Sequence, residues 1–185
     1  MSKGKIIIGQ ERFALTIDRL CHQLIERHGR FEKTCLVGIQ PRGIHLSNRL
    51  HRRLSDILSV DALEYGKLDI TFYRDDFRTR AKPLYASKTE MEFLVENKRV
   101  VLVDDVLYTG RTVQAALTAL NHYGRPLQVE LVSLVDRRFN RHLPIHSDYV
   151  GITIDALDEA YVRVEWSELG QEDRVLLFAN KQEAE

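Results

Sequence analysis

The chain has little of several features that would assign it to a functional class. Only two of its 185 residues are cysteines, and Cys21 and Cys35 both lie in apolar patterns without metal-ligand spacing. A disulfide framework and a zinc site are therefore not expected, and both thiols are interpreted as reduced core residues of a cytoplasmic protein. The 27 basic and 27 acidic residues balance, so any nucleic-acid partner must be met by a local patch.

Long apolar runs are missing as well. The N-terminal run Ile6-Ile7-Ile8 is too short for a signal-peptide core or a membrane span, and no membrane partner is expected. Neither G-x-G-x-x-G nor G-x-x-x-x-G-K-[ST] occurs, which excludes two common phosphate-binding motifs. Repeats, low-complexity tracts and linkers are absent too, so residues 1–185 are predicted to form a single domain with a substantial core.

The most informative segment that is present runs from Arg99 to Thr112, RVVLVDDVLYTGRT. Its apolar, β-branched start is typical of a strand covered on both faces. Asp104 and Asp105 follow where such a strand is expected to leave the sheet, and Thr109 to Thr112 opens a helical pattern that stops at Gly124. The segment predicts a strand, an acidic loop, a glycine turn and a helix.

This pattern of residues suits a sugar phosphate. The free amides of a helix N-terminus and the hydroxyls of Thr109 and Thr112 would bind a phosphate, and Gly110 would let the backbone approach it. Carboxylates beside a phosphate are useful if they accept hydrogen bonds from sugar hydroxyls or act through a divalent cation brought by the ligand. A ribose 5-phosphate has this combination. The alternative is that the acids only cap the turn and the threonines only cap the helix.

A second strand, turn and helix begins at Thr34. The apolar run to Ile39 is followed by Gln40-Pro41-Arg42-Gly43 and then by leucines at helical spacing. Arg42 and the amide of Gly43 would suit a pyrophosphate at the same edge of the sheet. The alternative is an ordinary turn with a solvent-exposed arginine.

The remaining periodic segments complete a predicted α/β fold, a parallel sheet flanked by helices with a small β-rich hood. Glu11 to His28 has the spacing of an amphipathic helix, whose polar face either contacts RNA or is simply solvated. Strands are predicted at Lys67–Tyr73, Gln128–Val135, Tyr149–Ile154, Tyr161–Trp166 and Arg174–Phe178.

These motifs resemble the type I phosphoribosyltransferase family. VVLVDDVLYTGRT is similar to the family's signature for phosphoribosyl pyrophosphate (PRPP), and its form VDDVLYTGRT resembles the members that use uracil and regulate pyrimidine operons. The resemblance extends from about Arg19 to Ser147, through LVGIQPRGIHLSNRL, KLDITFYRDD and SLVDRR.

The resemblance implies a role for each motif residue. Asp104 and Asp105 would be the catalytic residues that hold the ribose 2- and 3-hydroxyls, with Mg²⁺ carried by PRPP and no metal site of the protein's own. Arg42, Gly43 and Arg74 would bind pyrophosphate, although Pro41 stands where the family commonly has threonine. The implied site for the ribose and 5-phosphate is Asp104, Asp105, Val106, Leu107, Tyr108, Thr109, Gly110, Arg111 and Thr112.

The segment from Arg74 to about Glu90 would be the family's mobile loop, which closes over PRPP and keeps water from the sugar. A charged surface hairpin is the alternative.

Two positions bear on the base. Hypoxanthine-type relatives usually carry an aspartate before Thr-Gly, where this chain has Tyr108, and a lysine where it has Asp136. Asp136 and Arg137 are the implied base contacts, and an acidic or neutral edge fits the N–H donors of uracil better than a purine carbonyl. The expected reaction converts uracil and PRPP to UMP and pyrophosphate, and no general base is assigned.

The alternative function is an RNA-binding transcriptional attenuator of a pyrimidine (pyr) operon that senses UMP through the same pocket. The resemblance implies that Arg19, His22, Arg27 and Arg141 lie on the face of a homodimer or homotetramer that meets pyr leader RNA. Asp18 in place of a common threonine, and the acidic run at 155–159, argue against RNA because phosphate contacts dominate nucleic-acid affinity. A third interpretation, a noncatalytic phosphosugar sensor, predicts PRPP binding without turnover.

Overall fold

The computed structural model describes residues 4–60, 63–75, 86–156 and 159–184, and a five-stranded sheet lies at its centre. The strand order is β3-β2-β4-β5-β6, and every neighbouring pair runs parallel. The strands are β2 (Thr34–Ile39), β3 (Tyr65–Leu68), β4 (Arg99–Leu107), β5 (Gln128–Arg137) and β6 (Tyr149–Ile154). Parallel neighbours need crossovers, and α2 (Gly43–Leu58) and α3 (Arg111–Leu120) supply two of them.

Helices cover both faces of this sheet. Alternate residues of a strand point to opposite faces, so Leu36 and Val101 pack in the core with α1 (Gln10–His28) and α2, whereas Cys35 and Val100 pack in the core with α3. All six residues of β2 are consequently buried. Burial raises the pKa of both cysteine thiols to about 12, which keeps them protonated and unreactive.

A second, antiparallel sheet forms the hood. It consists of β1 (Lys5–Ile8), β8 (Arg174–Phe178) and β7 (Tyr161–Glu165), in that spatial order. The strand β1 is not predictable from sequence, because four residues carry too little periodicity to reveal a strand without its partner β8. The buried Trp166 attaches the hood to α1, where its ring meets that of Phe13 edge to face at 5.2 Å between centroids.

Two predicted boundaries are wrong. The strand predicted at Lys67–Tyr73 is Tyr65–Leu68, and a 3₁₀ turn follows. Asp69 ends the ladder because its Oδ1 accepts hydrogen bonds from the Thr71 amide (3.3 Å) and hydroxyl (2.7 Å). The acidic pair, predicted in a loop, lies inside β4, which stays paired with β5 up to Leu107. The 3₁₀ turns are Thr71–Tyr73, Asn121–Tyr123, Ser167–Leu169 and Gln182–Ala184.

The predicted fold class is confirmed: a parallel sheet flanked by helices, with a small separate β-sheet. The central part of the predicted mobile loop, residues 76–85, lies outside the described residues. The assignment of residues 1–185 to a single domain stays a prediction. In the part of the chain that the structure describes, no helix is both long and apolar enough to cross a membrane.

Candidate active site

A cavity of about 930 Å³ opens at the carboxyl ends of β2, β4 and β5, beneath the hood. Ligands of open α/β sheets bind at this edge, because the loops that follow neighbouring parallel strands meet there. The lining residues are Gln40, Pro41, Arg42, Ile70, Thr71, Arg74, Asp75, Asp104, Asp105, Val106, Leu107, Tyr108, Thr109, Gly110, Arg111, Thr112, Arg137, Tyr161, Val162 and Lys181. All nine residues predicted for the ribose and 5-phosphate are among them.

Asp104 and Asp105 lie on the floor of the cavity and are nearly covered, with 5% and 7% of their surface exposed. Burial raises the pKa of Asp104 well above its usual value, and the charge of Asp105 raises it further. Burial also raises the pKa of Asp105, although Arg42 opposes that shift. A ligand that supplies hydroxyl donors or a cation would therefore stabilise the charged form of these two carboxylates.

The phosphate loop, defined here as Tyr108–Thr112, turns from β4 into α3. Gly110 has φ = 89°, a left-handed conformation that favours glycine, and α3 begins at the next residue. The Arg111 amide donates a long hydrogen bond to Thr109 Oγ1 at 3.4 Å. The loop therefore presents a helix N-terminus and two threonines to the cavity, which is the environment that a phosphate monoester requires.

Two of the three residues predicted for pyrophosphate line the same cavity. Arg42 lines the cavity, bonds to the hydroxyl of Tyr161 and feels the charges of Asp105 and Asp104. Arg74 also lines it. Gly43 does not, because it starts α2 directly against β4, where an added Cβ would lie 2.4 Å from the Val103 carbonyl oxygen. Glycine is needed at this position because the backbone of β4 packs directly against it.

The two predicted base residues are separated by strand alternation. Arg137 lines the cavity, with its guanidinium 3.8 Å from the centroid of the Tyr108 ring. Asp136, its neighbour in β5, points away and is not among the lining residues. The Asp136 carboxylate instead accepts a hydrogen bond of 2.5 Å from Arg141.

Sequence reasoning missed the hood residues of the cavity. Tyr161, Val162 and Lys181 line it from above, although they follow the phosphate loop by about fifty residues or more. No local signal could have found them, since their contribution depends on how the second sheet packs. Gln40 had a signal, its position at the end of β2, and its amide donates to the Lys88 carbonyl at 2.9 Å.

Of the four residues predicted to meet RNA, three lie on α1, and their RNA role stays a prediction. Arg19, on α1, donates to the carbonyl oxygens of Val150 and Gly151 at 3.0 and 2.6 Å, at the outer edge of β6. His22 is exposed on the same helix, and the exposed Arg27 lies 3.5 Å from the carboxylate of Glu130. Arg141 is instead packed against the phosphate loop.

These features define a class of protein. The chain belongs to the phosphoribosyl transferase domain family, whose model matches residues 6–168. Among relatives, it is similar to the bifunctional protein PyrR of Haemophilus ducreyi, with 47% identity over 156 residues covering 84% of this chain and 86% of the relative. PyrR of Elusimicrobium minutum is 40% identical over 174 residues, which cover 94% of this chain and 96% of the relative. The predicted family resemblance is confirmed.

Solved structures support the same fold. A hypoxanthine phosphoribosyltransferase from Staphylococcus aureus superposes with a TM-score of 0.69, and the match covers 98% of this chain and 94% of that one. The two are 22% identical, so this similarity concerns architecture.

Proposed function

We propose that the protein is a uracil phosphoribosyltransferase that converts uracil and PRPP to UMP and pyrophosphate. One observation carries the proposal: all nine residues of the predicted PRPP loop line a single cavity together with Arg42 and Arg74. The family supplies the type of transfer, and the relatives of 40–47% identity are named PyrR. The choice of base rests on the arguments below.

The cavity suits the two ends of PRPP. The amides and hydroxyls of the phosphate loop would hold the 5-phosphate, and Asp104 and Asp105 would accept hydrogen bonds from the ribose hydroxyls. Uracil N1 then forms a bond to C1 as the bond from C1 to pyrophosphate breaks, and N1 loses its proton. Positioning and electrostatic stabilisation are each worth several kcal/mol in such reactions.

Magnesium enters this proposal as part of the substrate. Two adjacent carboxylates and a nearby pyrophosphate group offer the oxygen ligands that Mg²⁺ prefers. Within the described ranges no group of three or more His, Cys, Asp and Glu side chains could hold a metal alone. In this proposal the protein shares the ion with PRPP.

Uracil is favoured over a purine by the residues near the expected base. Tyr108 replaces the acid that hypoxanthine-type relatives place before Thr-Gly, so no carboxyl group is available there for a purine nitrogen. Asp136 stands where those relatives carry a lysine, but its side chain lies outside the cavity, so Tyr108 and Arg137 carry the choice of base. Arg137, whose guanidinium lies 3.8 Å from the centroid of the Tyr108 ring, places a cation in the cavity that would face a pyrimidine carbonyl.

The proposal is tested by incubating purified protein with PRPP, magnesium and each of uracil, hypoxanthine and guanine. UMP should form, with at least about a hundredfold preference in kcat/KM for uracil, a difference of about 2.7 kcal/mol. Conversion of a purine while uracil remains unchanged would contradict the argument from Tyr108. Heat of binding with PRPP and magnesium, but no product with any base, would favour the phosphosugar sensor.

A second function, attenuation through pyr leader RNA, is favoured by the word bifunctional in the names of the relatives. Exposed Arg27 and His22 provide part of a polar helix face for such a partner. The test is a gel shift with pyr leader RNA, with and without UMP, at two salt concentrations. Binding that falls steeply with salt and responds to UMP supports the second function. Binding that is equal for unrelated RNA argues against it.

Assembly and location complete the proposal. A homodimer or homotetramer in the cytoplasm is the arrangement proposed for this chain. Light scattering during size-exclusion chromatography measures the assembly, and a monomer at micromolar concentration would count against it.

A further inference from the structure

Arg141 occupies a position that the proposed RNA role does not explain. Its side chain is only 18% exposed, and that of its partner Asp136 is 16% exposed. One terminal nitrogen of the guanidinium donates to Asp136 Oδ1 at 2.5 Å, and the other donates to the carbonyl oxygen of Tyr108. Both ends of the guanidinium fork are therefore directed into the protein rather than toward an external phosphate.

The hydrogen bond to the Tyr108 carbonyl oxygen orients one peptide group of the phosphate loop. In a trans peptide the carbonyl and the N–H point in opposite directions, so fixing the Tyr108 carbonyl also fixes the N–H of Thr109. Thr109 lines the cavity at the position proposed for the 5-phosphate. Arg141 thereby sets the orientation of a donor that the side chain itself does not touch.

The hydrogen bond to Asp136 compensates the negative charge of that carboxylate. Asp136 is one residue from Arg137, which lines the cavity, and it is paired in the sheet with Leu107 on the strand of the acidic pair. A third carboxylate without a partner at this end of the sheet would add negative charge to a site built for phosphates. Arg141 neutralises it and holds it in one place.

The residues that follow Arg141 are packed on the same loop. The amide of His142 donates to the Thr109 carbonyl at 3.0 Å, and its ring nitrogen Nδ1 accepts from Arg111 at 3.3 Å. A Cβ placed on Gly110 would lie 3.4 Å from the side chain of Ile145. The stretch from Arg141 to Ile145 is therefore a wall of the phosphate loop.

We infer that Arg141 is a positioning residue of the transferase site, which orients the Tyr108–Thr109 peptide for the nucleotide and neutralises the Asp136 carboxylate beside the site. The inference rests on the proposed function and deepens it. It predicts that Arg141 acts on substrate affinity through two neighbours, without contact to the reacting atoms.

The experiment compares R141Q with R138Q, in kinetic assays with uracil, PRPP and magnesium. Arg138 lies in the same segment, but its ion pair with Asp155 is exposed, with 60% and 51% of the two side chains accessible. R141Q should raise the KM for PRPP and for uracil about tenfold with kcat within about threefold, because positioning is lost while the acids remain. R138Q should leave all three values within about twofold.

Two further variants separate positioning from simple loss of structure. R141K keeps the charge but lacks the planar fork that holds both acceptors, so it should restore only part of the affinity. In the D136N background R141Q should cost less than in the wild-type chain, because no carboxylate is left unpaired. The inference would be overturned if R141Q lowered only the amount of active protein and left both KM values unchanged. It would also be overturned if R141Q and R138Q gave the same KM values.

The same variants are titrated with UMP and with PRPP plus magnesium in a calorimeter. A wild-type chain that binds these ligands but forms no UMP contradicts the proposed function, and Arg141 is then judged by the loss of affinity in R141Q alone. If R141Q keeps its affinity for UMP and loses only pyr leader RNA, the side chain serves the surface and the inference fails.

Discussion

At the scale of single residues, the site is dominated by two adjacent carboxylates of β4 that are buried side by side. Asp104 and Asp105 are nearly covered, and the amide of Asp105 donates to Asp104 Oδ1 at 3.0 Å. Burial raises the pKa of Asp104, so its charged form is disfavoured in the folded chain. Function and stability are therefore opposed at this position, as is common in active sites.

The substitution D104N should raise stability and abolish most activity. The folded chain keeps a proton on Asp104 above pH 3.8, where the unfolded chain releases it, so wild-type stability falls as pH rises through this window. At pH 7 we expect D104N to raise the free energy of unfolding by about 1–2 kcal/mol and to lower kcat/KM at least about a hundredfold. Urea denaturation and UMP formation measure the two effects.

D18N is the matched control for this change. Asp18 is a carboxylate that is 42% exposed and paired with Arg53 at 2.7 Å. Its amide should alter stability by less than about 0.5 kcal/mol and leave UMP formation unchanged. A loss of stability in D104N would mean that the carboxylate supports the ligand-free fold.

At the scale of secondary structure, the distance between α2 and β4 determines where Arg42 lies relative to the acids. Gly43 begins α2 and is buried, and a Cβ built on it would be 2.4 Å from the Val103 carbonyl oxygen and 3.0 Å from Asp104 Cα. Both contacts are with backbone atoms, which do not rotate away. The helix can thus start this close to the strand only with glycine.

The substitution G43A should therefore separate the helix from the strand. We expect a loss of about 2–3 kcal/mol in the free energy of unfolding, typical of overpacking, together with a rise of about tenfold in the KM for PRPP as Arg42 moves. Chemical denaturation and initial rates measure both. In G9A the added methyl group meets nothing within 4 Å, so that variant should keep the wild-type KM for PRPP and lose at most about 1 kcal/mol, because alanine is a poorer N-cap of α1 than glycine. Equal behaviour of G43A and G9A would show that α2 adjusts without cost.

At the scale of the whole molecule, Arg49 connects the sheet layer to the hood. From α2 its guanidinium bonds to Glu168 and Asp173, each at 2.6 Å, and lies 5.0 Å from the centroid of Trp166. Only 18% of the side chain is exposed. Because the hood contributes Tyr161 to the cavity, this connection also bears on the site.

The substitution R49Q should weaken both the fold and the binding of the base. Leaving Asp173 without its cation, at 17% side-chain exposure, should cost about 2 kcal/mol in the free energy of unfolding, although the Ser167 amide still donates to it. The KM for uracil should rise severalfold with a smaller change in that for PRPP, since the phosphate loop belongs to the sheet. Thermal unfolding and steady-state kinetics are the measurements.

Arg53, also on α2, provides the control. Its pair with Asp18 leaves 44% and 42% of the two side chains exposed, so R53Q should leave the free energy of unfolding close to that of the wild-type chain. If R53Q lost as much free energy of unfolding as R49Q, the effect would come from the charge of α2 in general and not from the contact with the hood.

A buried polar network joins four elements near the amino ends of the strands, away from the cavity. His28 of α1 bonds to Glu130 of β5 at 2.8 Å, to Tyr149 of β6 at 3.2 Å and to Thr34 of β2 at 3.3 Å. Burial lowers the pKa of His28 despite the opposing attraction of Glu130. A neutral imidazole with its proton on Nε2 can donate to Glu130 and accept from the Thr34 hydroxyl.

This network predicts a loss of stability in mild acid. Below pH 6.5 the unfolded chain protonates His28 while the folded chain does not, so the free energy of unfolding falls as the pH decreases. The pKa of Glu130 is lowered by hydrogen bonds from Tyr149 and His28 although burial opposes this, and its contribution is lost below pH 4.5. Urea titrations at pH 7.5 and 5.5 should differ by about 1 kcal/mol.

H28N should reduce this pH dependence, whatever its effect on absolute stability. His22 is exposed on the same helix, and H22N should keep the wild-type slope. An equal slope in H28N and H22N would assign the acid sensitivity to other groups.

The sequence by itself determined the elements whose signals are local. An apolar strand, two acids and a threonine-glycine turn predict the phosphate loop because each acts on its immediate neighbours, and the structure brings the acids and the turn to one cavity. The fold class followed from the alternation of strands and helices. The early end of β3 could not be predicted, since the Asp69 side chain competes with the strand ladder for the Thr71 amide.

Only the tertiary structure decided what distant segments contribute. Tyr161 and Lys181 line the cavity because the hood packs over the sheet, and four-residue β1 exists because β8 lies beside it. Arg141 matched a surface role in sequence, yet its guanidinium is held by Asp136 and the Tyr108 carbonyl. Hydrogen bonds and packing join residues close in space whatever their separation along the chain, so these contacts leave no periodic pattern to read.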